Sequence, residues 1–230
     1  MLGGFLIAFY EKANIEIPLF DFRLKGVTTI SADLHKYGNC PKGISLLLFK
    51  NHEIRHKIFF IYPQWTGGLY LTSTLDGSRT AGIIAASYAV LCFLGKRYYV
   101  DIAIKIHEAV LKLKKFIKEK CHLIKVIGDP FINGVSFTGD KVEYFYDALE
   151  KKGWHINYIQ NPVGCGFIFT SANVKNVDNL ILDIEEIHKS IEEGKFGKLG
   201  ALTKLYGTAL PLPLELTKDS MYALGDAMSD

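Results

Sequence analysis

Ser31-Ala-Asp-Leu-His-Lys-Tyr-Gly38 is the stretch on which the reading of this chain turns. A β-branched run, Val27-Thr-Thr-Ile-Ser31, leads into it, and a second apolar run, Ile44-Ser-Leu-Leu-Leu-Phe49, follows. Both read as strands, with Gly38 and Pro41-Lys-Gly43 marking the turn between them. Strands joined so tightly pair antiparallel, which puts Lys36 in the connecting loop, at the end of a strand expected to be buried. Loops held by a rigid strand pair are where scaffolds display reactive groups. An ordinary exposed lysine, with a pKa near ~10.4, stays protonated and is a poor nucleophile. Burial or a neighbouring positive centre frees the amine to attack a carbonyl carbon. Asp33 is placed to orient a neighbour, and His35 to contact an anionic group. An arbitrary His-Lys pair is more often a solvated turn, so spacing alone leaves both readings open.

The composition describes a folded protein without an obvious polyanionic partner. Its 230 residues suffice for one large domain or two small ones. At 49% hydrophobic and 22% charged, the chain is too apolar for disorder. A formal charge of +3, with no dense basic block interleaved with aromatics, argues against nucleic acid. The cysteines, Cys40, Cys92, Cys121 and Cys165, are scattered without a C-x-x-C pair. They read as reduced thiols of a cytoplasmic protein rather than as a disulfide frame or zinc site. The apolar opening from Leu2 to Phe9 has no basic n-region or small-residue cleavage site, so it is not read as a signal peptide. The run 81–95 is shorter than the ~20 residues of a membrane span and is interrupted by Ser87 and Tyr88. It is expected to be a buried core helix, and no membrane span is expected in the chain.

Residues 3–10 read as a helix or its entry, and 62–80 as a long Gly/Thr/Ser-rich stretch. Asp101 is expected to cap a long helix to about Lys120, with Ile102, Ile106, Ala109, Leu113 and Phe116 on its apolar face. Beyond Cys121 the elements become short and alternating. Strands are expected over 123–127, 135–138, 155–159 and 166–170, and helices over 141–151 and 177–192. The result is a small α+β layer domain with the long helix as its bridge.

Two further motifs compete for attention. His52-Glu-Ile-Arg-His56 matches H-E-x-x-H, which on a helix presents two zinc-ligating imidazoles and a glutamate base. Flanked by Lys50, Asn51 and Lys57, and without an obvious third ligand, it reads as a polar surface turn, and no metal is assigned. Leu75-Asp-Gly-Ser-Arg79 opens into the apolar helix. Its glycine and serine offer N–H groups and a hydroxyl to an anion; the plainer reading is an N-cap with a salt-bridged arginine.

The stretch from Phe20 to Gly38, continued by Pro41-Lys-Gly43, resembles the cofactor-lysine segment of the sphingosine-1-phosphate lyase family. That family belongs to the pyridoxal-phosphate-dependent fold-type I group, beside the group II amino-acid decarboxylases. Trp65-Thr-Gly-Gly-Leu-Tyr70, Gly77-Ser-Arg79, Lys151-Lys-Gly-Trp-His155 and Leu205-Tyr-Gly207 extend the resemblance in the family's order across nearly the whole chain.

The resemblance implies an α/β fold: part of the sheet of a large cofactor domain over 1–100, an interdomain helix over 101–120, and a small C-terminal α+β domain over 121–230. It implies that Lys36 carries pyridoxal phosphate as a Schiff base, that His35 sits by the cofactor, and that Asp33 belongs to the same site. Gly77 and Ser78 would reach the cofactor phosphate of the neighbouring subunit of a homodimer, and Lys42 would lie near the substrate's phosphate. The implied reaction is a retro-aldol cleavage of a phosphorylated sphingoid base to a fatty aldehyde and phosphoethanolamine. A group II decarboxylase and a non-catalytic remnant are the alternatives. In the family an aspartate that keeps the pyridine nitrogen protonated precedes the match to Leu2-Gly-Gly-Phe5, as does the upstream half of the large domain. The sequence begins after both, so it is expected to be the C-terminal part of such an enzyme, inactive without a complementary polypeptide. A membrane anchor, as in eukaryotic members held at the endoplasmic reticulum facing the cytosol, would precede that half. Asn39-Cys40, where the family usually has an aromatic and a small residue, and Thr80, where it often has proline, are local departures.

Overall fold

The two runs around Lys36 form the expected hairpin: β1 (Thr29–Ala32) pairs antiparallel with β2 (Leu46–Phe49), Thr29 opposite Phe49 and Ala32 opposite Leu46. The computed structural model describes residues 3–74, 77–195 and 197–200, with Thr203, Lys218, Met221 and Tyr222. Of the segments quoted above, Leu2, Leu75-Asp76 and Leu205-Tyr-Gly207 lie outside the described residues. The chain divides into two units, Met1–His107 and Glu108–Asp230.

In the first unit, helix α1 (Ile7–Lys12) starts one turn later than the apolar opening suggests. It buries Leu6, Ile7 and Tyr10, which a 3.6-residue period places on one face. The strand expected to be buried, β1, is so only at Ala32, with Thr29 and Ser31 exposed; on its partner β2, Leu46, Leu47 and Leu48 are 39%, 52% and 44% exposed. Asn51 accepts a hydrogen bond from the Ile54 N–H and caps helix α2 (His52–His56). The H-E-x-x-H string is therefore one helical turn rather than the surface turn expected. The Gly/Thr/Ser-rich stretch also contains an unexpected hairpin, β3 (Phe60–Trp65) with β4 (Gly68–Thr72), whose register shifts between Tyr62 and Trp65.

Helix α3 (Ala81–Lys120) is interrupted at Gly95, whose φ of 67° and ψ of 168° break the helical path. That conformation is open to glycine and strained for other residues. The helix resumes at once, so Asp101 is an interior residue paired with Lys105 at 2.6 Å, not a cap. The buried stripe already begins at Tyr99 and continues through Ile102, Ala103 and Ile106. The segment before Gly95 is not a buried core helix as expected: Ser87 is covered, but Ile84, Tyr88 and Phe93 are 53%, 71% and 89% exposed. By length and composition α3 is apolar enough to cross a membrane. Its uninterrupted apolar part is about 21 Å long at ~1.5 Å per residue, against ~30 Å of hydrocarbon.

In the second unit, strands β5 (Ile124–Val126), β6 (Gly134–Gly139), β7 (Asn157–Gln160) and β8 (Val163–Ile168) form one antiparallel sheet ordered β5-β6-β8-β7. Helices α4 (Val142–Lys151) and α5 (Val177–Glu192) pack with it. Phe137, Phe145, Leu149, Phe169, Leu180 and Ile184 are buried in this core. Every strand and helix expected beyond Cys121 is present.

Candidate active site

The loop between β1 and β2 brings Asp33, His35 and Lys36 together. Lys36 Nζ lies 2.7 Å from Asp33 Oδ2, one helical-type turn back along the chain. The Asp33 side chain is 13% exposed and the Lys36 side chain 38%, so the carboxylate is set inward and the amine stays open to approach. Ser45 Oγ donates to the other oxygen, Asp33 Oδ1. The hydrogen bond from Lys36, and then that from Ser45, hold the Asp33 carboxyl well below the usual carboxylate range. His35 Nδ1 is 2.6 Å from the Ile44 carbonyl. A carbonyl accepts only, so Nδ1 carries a hydrogen and Nε2 is left for another partner.

The loop is held from several sides. Tyr99 Oη donates to the Gly38 carbonyl at 2.8 Å, and Asn39 Nδ2 donates to Tyr98 Oη at 3.2 Å. Both tyrosines belong to α3. A Cβ on Gly38 would fall 2.5 Å from the Leu34 carbonyl oxygen, so only glycine allows the chain to close here. Asn39, one of the departures from the family pattern, adopts φ 54°, a left-handed conformation that asparagine tolerates.

Of the remaining candidates, Lys42 lies further along the same loop and the other two lie elsewhere. Lys42 is exposed, and Gly77 and Ser78 are exposed just ahead of α3. No hydrogen bond or ion pair among the described residues joins these three to the Asp33–Lys36 cluster. A cleft of about 830 Å³ in the same unit is lined by Ser45, Leu47, Arg55, Phe60, Tyr70 and Arg79, among others. Arg79 makes no ion pair among the described residues, Asp76 of the same motif lying outside them, and Arg55 stacks over Phe59 at 5.4 Å. Two guanidiniums without a carboxylate partner among the described residues suit an anionic group. An open amine with a fixed counter-charge, beside a cleft carrying two such cations, fits an aldehyde-bearing phosphate ester such as pyridoxal phosphate. Ser45 and Arg79 were missed from sequence. Ser45 was within reach, since the register Ala32 opposite Leu46 makes residue 45 the neighbour of residue 33.

The Lys151-Lys-Gly-Trp-His155 motif has a structural use. Lys152 Nζ and Trp154 Nε1 grip the two oxygens of Asp183 on α5 at 2.9 and 2.7 Å. Burial pushes the Asp183 pKa up, but these bonds outweigh it and hold the carboxyl below its ordinary range.

No family model matches the chain. It is 37% identical over 214 residues to the sphingosine-1-phosphate lyase of Arabidopsis thaliana, an alignment covering 92% of this chain and 39% of that protein. The structure of a Burkholderia pseudomallei sphingosine-1-phosphate lyase superposes with a TM-score of 0.75 at 33% identity, over 82% of this chain and 43% of that one. A Lactobacillus brevis glutamate decarboxylase matches at TM-score 0.62 and 22% identity, over 82% and 45%, a likeness of fold alone. The chain thus spans about two fifths of the curated relatives it matches. By sequence over most of its length, and by fold, it is a relative of the sphingosine-1-phosphate lyases within the pyridoxal-phosphate-dependent fold-type I group.

Proposed function

We propose that this chain forms part of a pyridoxal-phosphate-dependent lyase that cleaves phosphorylated sphingoid bases to a fatty aldehyde and phosphoethanolamine. The observation that carries the reading is the Asp33–Lys36 pair in a loop locked by Tyr98, Tyr99 and Gly38, at the point where the lyase resemblance puts the cofactor lysine. When bound, the cofactor supplies an electron sink for the carbanion left by carbon–carbon cleavage.

The residues of the chain bind and orient. Lys36 Nζ would be the amine that holds the cofactor at its aldehyde carbon. Asp33, fixed by Ser45, keeps that amine in the loop. His35, its ring set by the Ile44 carbonyl, would present Nε2 to the bound cofactor. Gly77 and Ser78 would take the cofactor phosphate of a neighbouring subunit, and Lys42 the substrate's phosphate. In this reading residues 1–100 belong to the cofactor domain, 101–120 to the interdomain helix and 121–230 to the small domain. A homodimer with a shared site would cover apolar surface that stands bare on the first unit. The four free cysteines, three of them buried, suit a reducing cytoplasmic setting.

Absorbance of the purified chain with pyridoxal phosphate tests this without requiring turnover. A visible band that survives dialysis, is missing from Lys36→Ala, and shifts with a phosphorylated sphingoid base but not with glutamate supports the reading. A shift with the amino acid alone would favour a decarboxylase, and no band would overturn the assignment of Lys36.

A further inference from the structure

A second cluster, wholly within the second unit, owes nothing to the cofactor reading. His188 and Glu192 stand one turn apart on the last two turns of α5, so both side chains share a face. His122, in the turn that follows α3, meets them there. His122 Nε2 is 3.2 Å from Glu192 Oε1, His188 Nε2 is 3.7 Å from the same oxygen, and the imidazole rings lie edge to face with centroids 4.7 Å apart. One ligand atom from each residue falls within 4.8 Å of the others.

An ordinary His–Glu ion pair accounts for His122 and Glu192 but not for His188. That residue is 4% exposed, its Nδ1 is buried without a partner, and its Nε2 is beyond hydrogen-bond distance of Glu192. Among the described residues the buried imidazole makes no hydrogen bond, a costly arrangement. The nearest lysine on α5, Lys189, is taken by Glu185 at 2.8 Å.

We propose that His122, His188 and Glu192 bind a divalent cation of the zinc type. Metal–ligand bonds of about 2.0–2.2 Å in a tetrahedron set ligand atoms roughly 3.3–3.5 Å apart, close to the 3.2 and 3.7 Å from Glu192 Oε1 to the two imidazoles. Two imidazoles and one carboxylate are a donor set that suits zinc. The side chains of His122 and Glu192 are 68% and 40% exposed, which leaves a fourth position to water. The cation would bond His188 Nε2, which makes no hydrogen bond among the described residues, and tie the residue after α3 to the end of α5. Nδ1 keeps its proton without an acceptor, so the affinity falls about 10–100-fold below a site with its outer shell complete. Sequence alone assigns no metal here, because the ligands sit on two elements far apart in the chain.

Zinc chloride titrated calorimetrically into the full chain under reducing conditions is the test, with cobalt as a spectroscopic probe. One equivalent of zinc should bind and raise the melting temperature. His122→Ala and Glu192→Gln, both at solvent-facing side chains, should each weaken binding at least tenfold and abolish that rise, with circular dichroism unchanged in the absence of metal. Cys92→Ser and His52→Ala should bind as the unmodified chain does. The proposal is overturned if the chain shows no saturable zinc binding, or if binding survives His122→Ala and is lost in His52→Ala, which would move the site to α2.

Discussion

The two units solve the burial problem differently. In the second, two helices pack with a four-stranded sheet, and the large apolar residues of α4, α5, β6 and β8 point largely into one interior. The first consists of two short helices, two separate hairpins and about two thirds of a long helix, and carries sixteen of the twenty large hydrophobic side chains that stand exposed among the described residues. Exposed apolar area on that scale marks a surface made to be covered. The candidate site is in this open unit, on the loop that the local hydrogen bonds hold most firmly. The buried core is thus concentrated in one unit and the candidate site in the other.

Substitutions test that division. The largest effect is expected from Phe137→Ala, which empties a position 1% exposed beside Phe145. It should cost about 3–5 kcal/mol in chemical denaturation, and a loss below 1 kcal/mol would mean that the second unit is not the stable one. Gly38→Ala forces a methyl against the Leu34 carbonyl. About 1–3 kcal/mol of strain is expected, together with weaker pyridoxal phosphate binding, since the loop that presents Lys36 must shift. Asp183→Ala removes the acceptor shared by Lys152 and Trp154 and should cost about 1–2 kcal/mol at neutral pH. Because the Asp183 carboxyl is held below its ordinary value, that contribution is complete above about pH 4 and is lost as the pH falls. The gap between Asp183→Ala and the unmodified chain should therefore close in acid. Leu69→Ser, at a side chain 86% exposed on β4, should change folding by no more than about 0.5 kcal/mol. It should reduce self-association in sedimentation velocity, and a large loss of stability would show that the hairpin is covered after all.

What could be read in advance follows the same divide. Helix 141–151 against the observed Val142–Lys151, and 177–192 against Val177–Glu192, were legible because amphipathic periodicity is local and these helices bury one face each. In the first unit the sequence cues are the same, but burial depends on what packs against them. The run 81–95 has the composition of a core helix and lies mostly bare. The β3–β4 hairpin escaped notice because its register shift breaks the alternation that identifies a strand. Asn51 before His-Glu was a readable helix cap, overlooked because charged neighbours suggested a turn. Lys36 was legible only as part of a long motif. Its counter-ion Asp33 followed from the same string, whereas Ser45 required the strand register, and the His122–His188–Glu192 cluster required the fold.

Lys36 is proposed as the lysine that holds pyridoxal phosphate. Borohydride reduction of the chain with stoichiometric pyridoxal phosphate, followed by peptide mapping, tests it most directly. The account predicts a single dominant label on Lys36, absent from Lys36→Ala and reduced in Gly38→Ala. Labelling spread evenly over the exposed lysines, with Lys36 no more reactive than Lys42, would contradict it.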